Sequence, residues 1–439
     1  MENYCFHVDE PFKQRSNEGC EKFKRRDKLN VGEFIKNLSD LIKARDGVLG
    51  LVAPYGSGKS FILNYLYCYL TEELHENVIY IDISKFEYDK NILRTILVNI
   101  LRETRIRGAF RDLARRLLPK VSKHFLSKVL GLNEEFFKDL AEDSAETILK
   151  MFDEEEELKR EIESVAKSMR LTIIIDNIDR CRPDFFLYFL SYIKEILSIP
   201  NLLFIIAYDK KQIVNFIKSS YGERIDEQNF LKKYIPIDIH LPDYKLEDIK
   251  KFLNYYFSEG LKELLKEFDV IEIAISFLAQ AYEGLMPISL RKLEIICKKL
   301  NNQEQILFKI KEEFKKNPEE AGEKYGDLKI LFLALVFILV IEQVDYNIFY
   351  RLKFWNLHDN EFKSLNDDFA TFFKEKFLRN PNIKYLFQLI LNEFAKDKKE
   401  EDVLSKLSSK IIQDNPDISN KDLEFFREVF KKVIDNFNI

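Results

Sequence analysis

Short apolar runs alternate with amphipathic stretches through the first half of the chain. Val31 to Ala44 carries apolar residues at helical spacing, and "GVLGLV" (Gly47 to Val52) is a continuous apolar run of strand length. "SFILNYLYCYLTEEL" reads as a helix, "NVIYIDIS" (Asn77 to Ser84) as a second buried strand and "NILRTILVNILRET" as the next helix. Strand, loop, helix, strand, helix predicts a parallel sheet flanked by helices. The pattern resumes with "LTIIID" (Leu171 to Asp176), the helical "FFLYFLSYIKEILSI" and "NLLFIIAYD" (Asn201 to Asp209). "YIPIDIHLPDY" (Tyr234 to Tyr244) reads as a last short strand that leaves the domain through Pro242, and nearly everything after Lys245 reads as helix.

Between the two halves of the sheet pattern, roughly residues 102 to 170, lies a charged helical insert. Arg102 to Lys128 holds nine basic and two acidic residues, and Glu134 to Glu163 holds thirteen acidic and four basic. Phe110, Leu113, Leu117, Val121 and Phe125 fall on one helical face, with Arg111, Arg115, Arg116, Lys120 and Lys123 opposite. Such a face suits a nucleic-acid backbone, a membrane surface, an acidic partner or plain solvent. The longest apolar run, Ile330 to Ile341, is too short to span a bilayer and reads as a buried core helix.

Composition changes this picture little. Hydrophobic residues are 46% and charged residues 33%, as in soluble globular chains, and a net charge of −5 argues against a chain basic throughout. The start of the chain shows no secretory signal, so a cytoplasmic setting is expected. The cysteines, Cys5, Cys20, Cys68, Cys181 and Cys297, have no regular spacing and read as separate reduced thiols. Cys5, His7 and Cys20 lack a fourth zinc ligand at a usual spacing.

The chemistry concentrates in "LGLVAPYGSGKSFILNYL", residues 49 to 66. A phosphate-binding loop must leave a buried strand and open a helix, so that backbone N–H groups face the anion. Both flanks are present. Gly56 and Gly58 permit the tight path, Lys59 supplies a cation for the β- and γ-phosphates, and Ser60 offers a hydroxyl to Mg²⁺. Ala53 stands where the G-x-x-x-x-G-K-[ST] pattern has its first glycine, which a negative φ would allow. The loop residues Pro54, Tyr55, Gly56, Ser57, Gly58, Lys59, Ser60 and Phe61 are the expected nucleotide contacts. Asp176, ending an apolar strand, is the expected carboxylate partner of Mg²⁺. Asn177 follows it, and an amide can position water without taking its proton. Asp179 is the next carboxylate along the chain.

These segments together resemble the KAP family of P-loop NTPases. "APYGSGKSFILNYL" is similar to that family's G-x-W-G-S-G-K-[ST] loop, and "IIIDNIDRCRP" to its h-h-h-h-D-D-L-D-R-C-x-P block. "FIIAYDKKQI" and "NFLKKYIPIDIHLP" resemble its next two segments, in the same order. The resemblance implies an α/β fold of the ASCE type: a central parallel sheet, with one extra strand between the loop strand and the Asp176 strand. It further implies an all-helical lid, while the helical insert and a C-terminal helical domain are read from the residues themselves, the tail after about Tyr325 lying outside the resemblance. The expected divisions are 1–30, 31–245 (with the insert at 102–170), 246–325 and 326–439.

The resemblance also implies ATP and Mg²⁺ as ligands. It matches Asp179 and Arg180 to the acidic and basic positions of the family block, and Asp209 to a sensor position. It makes Arg291, in "SLRKLEIICKKLN", the candidate γ-phosphate sensor. Lys59, Asp176, Asn177, Asp179 and Arg291 are thus the expected catalytic set. The sequence departs from the family at Ala53, Tyr55 (for Trp) and Asn177 (for Asp). The absence of a transmembrane segment points to the soluble bacterial branch, which implies a switch or motor in an antiphage defence complex, with effector partners and oligomer formation. A non-hydrolysing scaffold and a DNA-associated ATPase using Arg102–Lys128 are the alternatives.

Overall fold

In the computed structural model, residues 20–88, 169–196, 199–267, 270–283, 288–325 and 328–344 are described, with short pieces at 159–167, 346–350 and 429–437. The basic face Arg102–Lys128, most of the insert, Cys5, His7 and most of the C-terminal region 326–439 lie outside the described residues. The chain divides into two units, residues 1–243 and 244–439.

Five strands form the sheet of the first unit: β1 (Gly47–Val52), β2 (Val78–Asp82), β3 (Leu171–Asp176), β4 (Leu202–Tyr208) and β5 (Ile237–His240). All pair in parallel, in the order β2-β3-β4-β1-β5. β4 therefore separates the loop strand β1 from the Asp176 strand β3, as the family resemblance implies. β3 and β4 are buried at every position, which is why they read as unbroken apolar runs and not as alternation.

The sheet is accompanied by helices α1 (Glu21–Arg26), α2 (Gly32–Lys43), α3 (Lys59–Cys68), α4 (Pro183–Ile196), α5 (Lys210–Tyr221) and α6 (Glu227–Lys232), with short 3-10 turns at Ile83–Phe86 and Ile178–Arg180. α3 runs on into a π-helical turn, Tyr69–Glu73. Phe186, Phe189 and Ile193 of α4 pack with Ile173 and Ile175 of β3 in one buried cluster.

Two features of the first unit depart from the sequence reading or escape it. Gly50 is a glycine in mid-strand because its neighbours leave no room. A Cβ there would lie 2.9 Å from both Ile235 Cγ2 and Tyr208 Cε1. Tyr208 reaches across it to donate its hydroxyl to Asp238 of β5. The expectation of separate reduced thiols is overturned for Cys20 and Cys68, which form a disulfide. β1, the loop and α3 fold back so that Cys68, at the end of α3, meets the first residue before α1. The Cα atoms are 5.5 Å apart, a separation a disulfide accommodates. α1 is fastened to α3 elsewhere too: Phe23 stacks on Tyr65, Lys24 pairs with Glu73 at 2.7 Å, and the Cys20 amide donates to Glu72.

The second unit is helical where described: α7 (Leu246–Tyr256), α8 (Glu259–Glu267), α9 (Ile271–Glu283), α10 (Leu290–Asn302), α11 (Glu304–Lys316), α12 (Pro318–Tyr325) and α13 (Leu328–Val344). α13 contains the long apolar run, and every residue from Leu331 to Ile341 is buried. α10 packs along it, and Lys299 of α10 pairs with Glu342 at 2.6 Å. Among the described residues no helix is long and apolar enough to cross a membrane.

Candidate nucleotide site

The loop between β1 and α3 starts with Ala53, whose amide still bonds the Tyr208 carbonyl at 3.2 Å. Ala53 thus extends the β1–β4 ladder by one rung and is buried, and the left-handed turns fall on Gly56 (φ 79°) and Gly58 (φ 93°). Those two positions need glycine; position 53 does not. Ser57 closes the turn, with its hydroxyl donating to the Pro54 carbonyl at 2.7 Å. Gly58 then caps α3, whose first turn carries no acidic residue and receives no side-chain cap. Unshielded N–H groups at a helix start, with Lys59 beside them, make an anion-binding end.

Lys59 is almost fully buried. Its ammonium donates to the carbonyls of Ala53 (2.8 Å) and Pro54 (3.2 Å) and lies 3.3 Å from Asp179 Oδ2. The same Asp179 oxygen accepts the Asp209 amide at 2.8 Å. Asp209 in turn accepts the Tyr55 amide at 2.9 Å and, through its other oxygen, the Lys211 amide that opens α5. One polar chain therefore joins the residues after β3, the end of β4 and the phosphate loop. Asp209, which the resemblance matches to a sensor position, acts here as helix cap and loop clamp. Arg180 places its guanidinium 5.6 Å from the ring centre of Tyr55.

The carboxylate of Asp176 is hydrogen-bonded by the Ser60 hydroxyl and by Tyr80 Oη at 2.6 Å. Burial raises the Asp176 carboxyl above its usual range, against the hydrogen bonds from Tyr80, Ser60 and the Asn177 amide that lower it. A buried hydroxyl and a buried carboxylate side by side, with a tyrosine behind the carboxylate, form a hard oxygen pair that fits Mg²⁺. The raised carboxyl fits a cation as well, since a metal would supply the missing counter-charge.

Asn177 turns into the left-handed region (φ 62°), where asparagine is among the few tolerated residues. Its amide group donates to Asp82 Oδ1 at 2.9 Å. Asp82, the last residue of β2, sits in register with Asp176. Sequence reasoning passed over Asp82. The signal was there in two apolar strands, "VIYID" and "LTIIID", ending alike. Arg291 lies in the first turn of α10 in the second unit, just after its cap Ser289.

A family model described as the KAP family P-loop domain matches residues 32–325. Among solved structures, the Aeropyrum pernix Orc1 protein in complex with DNA aligns at 12% identity and a TM-score of 0.33, over 74% of this chain and 77% of that one. The Aeropyrum pernix Orc2 protein in its ADPNP–ADP complexes aligns at 12% identity and a TM-score of 0.34, over 83% of this chain and 95% of that one. Superpositions of this quality carry no argument about ligands. No curated protein matches the chain.

Proposed function

The chain belongs to the KAP family of P-loop domains, which makes it a nucleotide-binding NTPase, and from that premise we propose that it binds ATP with Mg²⁺ and hydrolyses it as a nucleotide-controlled switch. The observation that carries the reading is the convergence of Lys59, Ser60 and Asp176 at the start of α3, three buried groups on two elements far apart in sequence. In this reading the loop amides and Lys59 hold the phosphates, while Ser60 and Asp176 hold the metal. Bound Mg²⁺ would neutralise phosphate charge as it develops. Asn177 orients water, Asp179 restrains Lys59 and Arg291 senses the γ-phosphate. The choice of ATP over GTP rests on the family resemblance and on the lack of an N-K-x-D guanine motif.

Effector partners, oligomer formation and a role in antiphage defence extend this proposal on the family resemblance alone, and the cytoplasmic setting expected from the sequence belongs to the same proposal. Nucleic-acid binding through Arg102–Lys128 extends it on the basic face of the sequence. The test of the central claim is phosphate release from ATP by the purified chain, in Mg²⁺, beside a Lys59→Ala variant. Release by the wild type alone supports it, and equal release by both overturns it. A specific observation favours a second reading, a nucleotide-dependent scaffold with little turnover: the residue after Asp176 is an amide. ATP binding by calorimetry without phosphate release is the result that reading expects.

A further inference from the structure

Asp82 and Asp176 are register partners on adjacent parallel strands. Paired positions of neighbouring strands face the same side. Tyr80, two residues before Asp82, confirms the shared face by reaching Asp176 with its hydroxyl. Two carboxylates thus emerge together beside the start of α3. They are treated differently. Asp176 faces Ser60. Asp82 is held by Ser84 Oγ at 2.7 Å, Lys85 Nζ at 3.1 Å and the Asn177 amide at 2.9 Å, with its side chain four-fifths buried.

The third contact has a consequence for Asn177. The two ends of an asparagine amide are nearly alike in shape, but a carboxylate can accept only from its NH₂ end. Asp82 therefore fixes which end is which, and Asn177 Oδ1 becomes the end left for another donor. The negative charge behind the NH₂ group also polarises the amide and strengthens Oδ1 as an acceptor. The contacts from Asn177, Ser84 and Lys85 keep Asp82 ionised: burial works against the charge, yet its carboxyl is held below the usual range.

We propose that Asp82 is a positioning residue for nucleotide hydrolysis, locking the Asn177 amide so that Oδ1 orients the attacking water. The inference rests on the ATPase reading above. The pair divides between two strands the task that one carboxylate after Asp176 would perform. The water oxygen bonds the γ-phosphorus, and the bridging P–O bond breaks with its electron pair leaving on ADP. The water's proton passes to an oxygen of the transferred phosphate, because an amide cannot take it.

The test compares wild type with Asp82→Asn and with the exchanged pair Asp82→Asn/Asn177→Asp. Three quantities are read: ADP affinity, kcat for ATP, and trapping of ADP with aluminium fluoride, a transition-state mimic. Asp82→Asn is expected to leave ADP affinity unchanged. It lowers kcat and trapping together by about 10- to 100-fold, the range seen when a supporting outer contact is lost. The exchanged pair keeps an amide–carboxylate hydrogen bond between the strands and is expected to restore both to at least the wild-type level. It also covers the case in which Asp82→Asn does not fold. Wild-type turnover with Asp82→Asn unchanged in kcat and trapping overturns this inference and leaves the ATPase reading standing. So does an exchanged pair that binds ADP normally but remains slow. Absence of wild-type release above Lys59→Ala overturns both.

Discussion

The ammonium of Lys59 lies 3.3 Å from the carboxylate of Asp179, and both side chains are more than nine-tenths buried. The lysine that should serve phosphates is thus already engaged by an anion of the protein itself. In the proposed site, the phosphates of a nucleotide and the Asp179 carboxylate would compete for the same ammonium. Replacing Asp179 by Asn keeps an oxygen for the Asp209 amide but removes the charge. The nucleotide-free protein is expected to lose about 1–3 kcal/mol of stability, because a buried ammonium loses its charged partner. ATP should bind up to about tenfold more tightly, since 1.4 kcal/mol of relieved competition is a factor of ten. Denaturant unfolding with and without ATP, together with calorimetry, reads both effects. Weaker ATP binding in Asp179→Asn would mean that Asp179 serves the ligand and not the lysine.

Asp209 leads to a separable prediction. Its two oxygens accept the Tyr55 amide of the loop and the Lys211 amide of α5. Asp209→Ala removes a helix cap, which alone costs about 0.5–2 kcal/mol. It also releases the loop backbone, so nucleotide affinity should fall along with stability. Thermal unfolding and ATP titration of the same preparation check the pair of effects. A variant with unchanged stability and affinity but lower kcat would return Asp209 to a purely sensing role.

The strands, the loop and the Asp176 block were legible because each is local: an apolar run of strand length, a glycine pattern, an acid at a strand end. Parallel sheets buried on both faces write themselves as such runs. The pairings between distant segments were not legible. Asp82 and Asn177 are brought together only by the register of β2 on β3, and no spacing along the chain encodes that. Cys20 and Cys68 meet because the β1–loop–α3 hairpin returns to α1, which five irregularly spaced cysteines do not reveal. Asn177 looked like a defect in a motif. The left-handed backbone at that position and the acceptor on β2 give the amide reasons of its own.

Gly50 tests how tightly β1 packs between β4 and β5. Any side chain there meets Ile235 and Tyr208 at 2.9 Å, and neither neighbour is the far end of a flexible chain. Gly50→Ala should destabilise the first unit by about 1–3 kcal/mol, the usual range for overpacking. Pairing it with Ile235→Ala, which removes the Cγ2 methyl that the new Cβ meets, should cost less than the two single losses added together. Urea unfolding of the two single variants and the double variant decides it. Losses that simply add would place the strain at Tyr208 and its bond to Asp238.

The cysteines give the last prediction. The chain closed by Cys20 and Cys68 spans 48 positions. Restricting an unfolded loop of that length is worth up to about 4 kcal/mol in the chain-entropy account. Reduction, or Cys68→Ser, should therefore lower the unfolding midpoint and loosen α1 from α3, although Phe23 and Lys24 keep their contacts. Cys181 and Cys297 should not report the change. Burial pushes the Cys181 thiol up to about 12 and raises that of Cys297 further, so at pH 8 neither holds an appreciable thiolate fraction. Thiol titration of the native chain should leave both unlabelled until denaturant is added. Mass spectrometry without reductant should find the peptides of Cys20 and Cys68 joined. Glu72 stands close enough to complete a three-ligand metal group with them. Zinc retained by the purified chain, with both thiols alkylated once it is chelated, would replace the disulfide with a metal site.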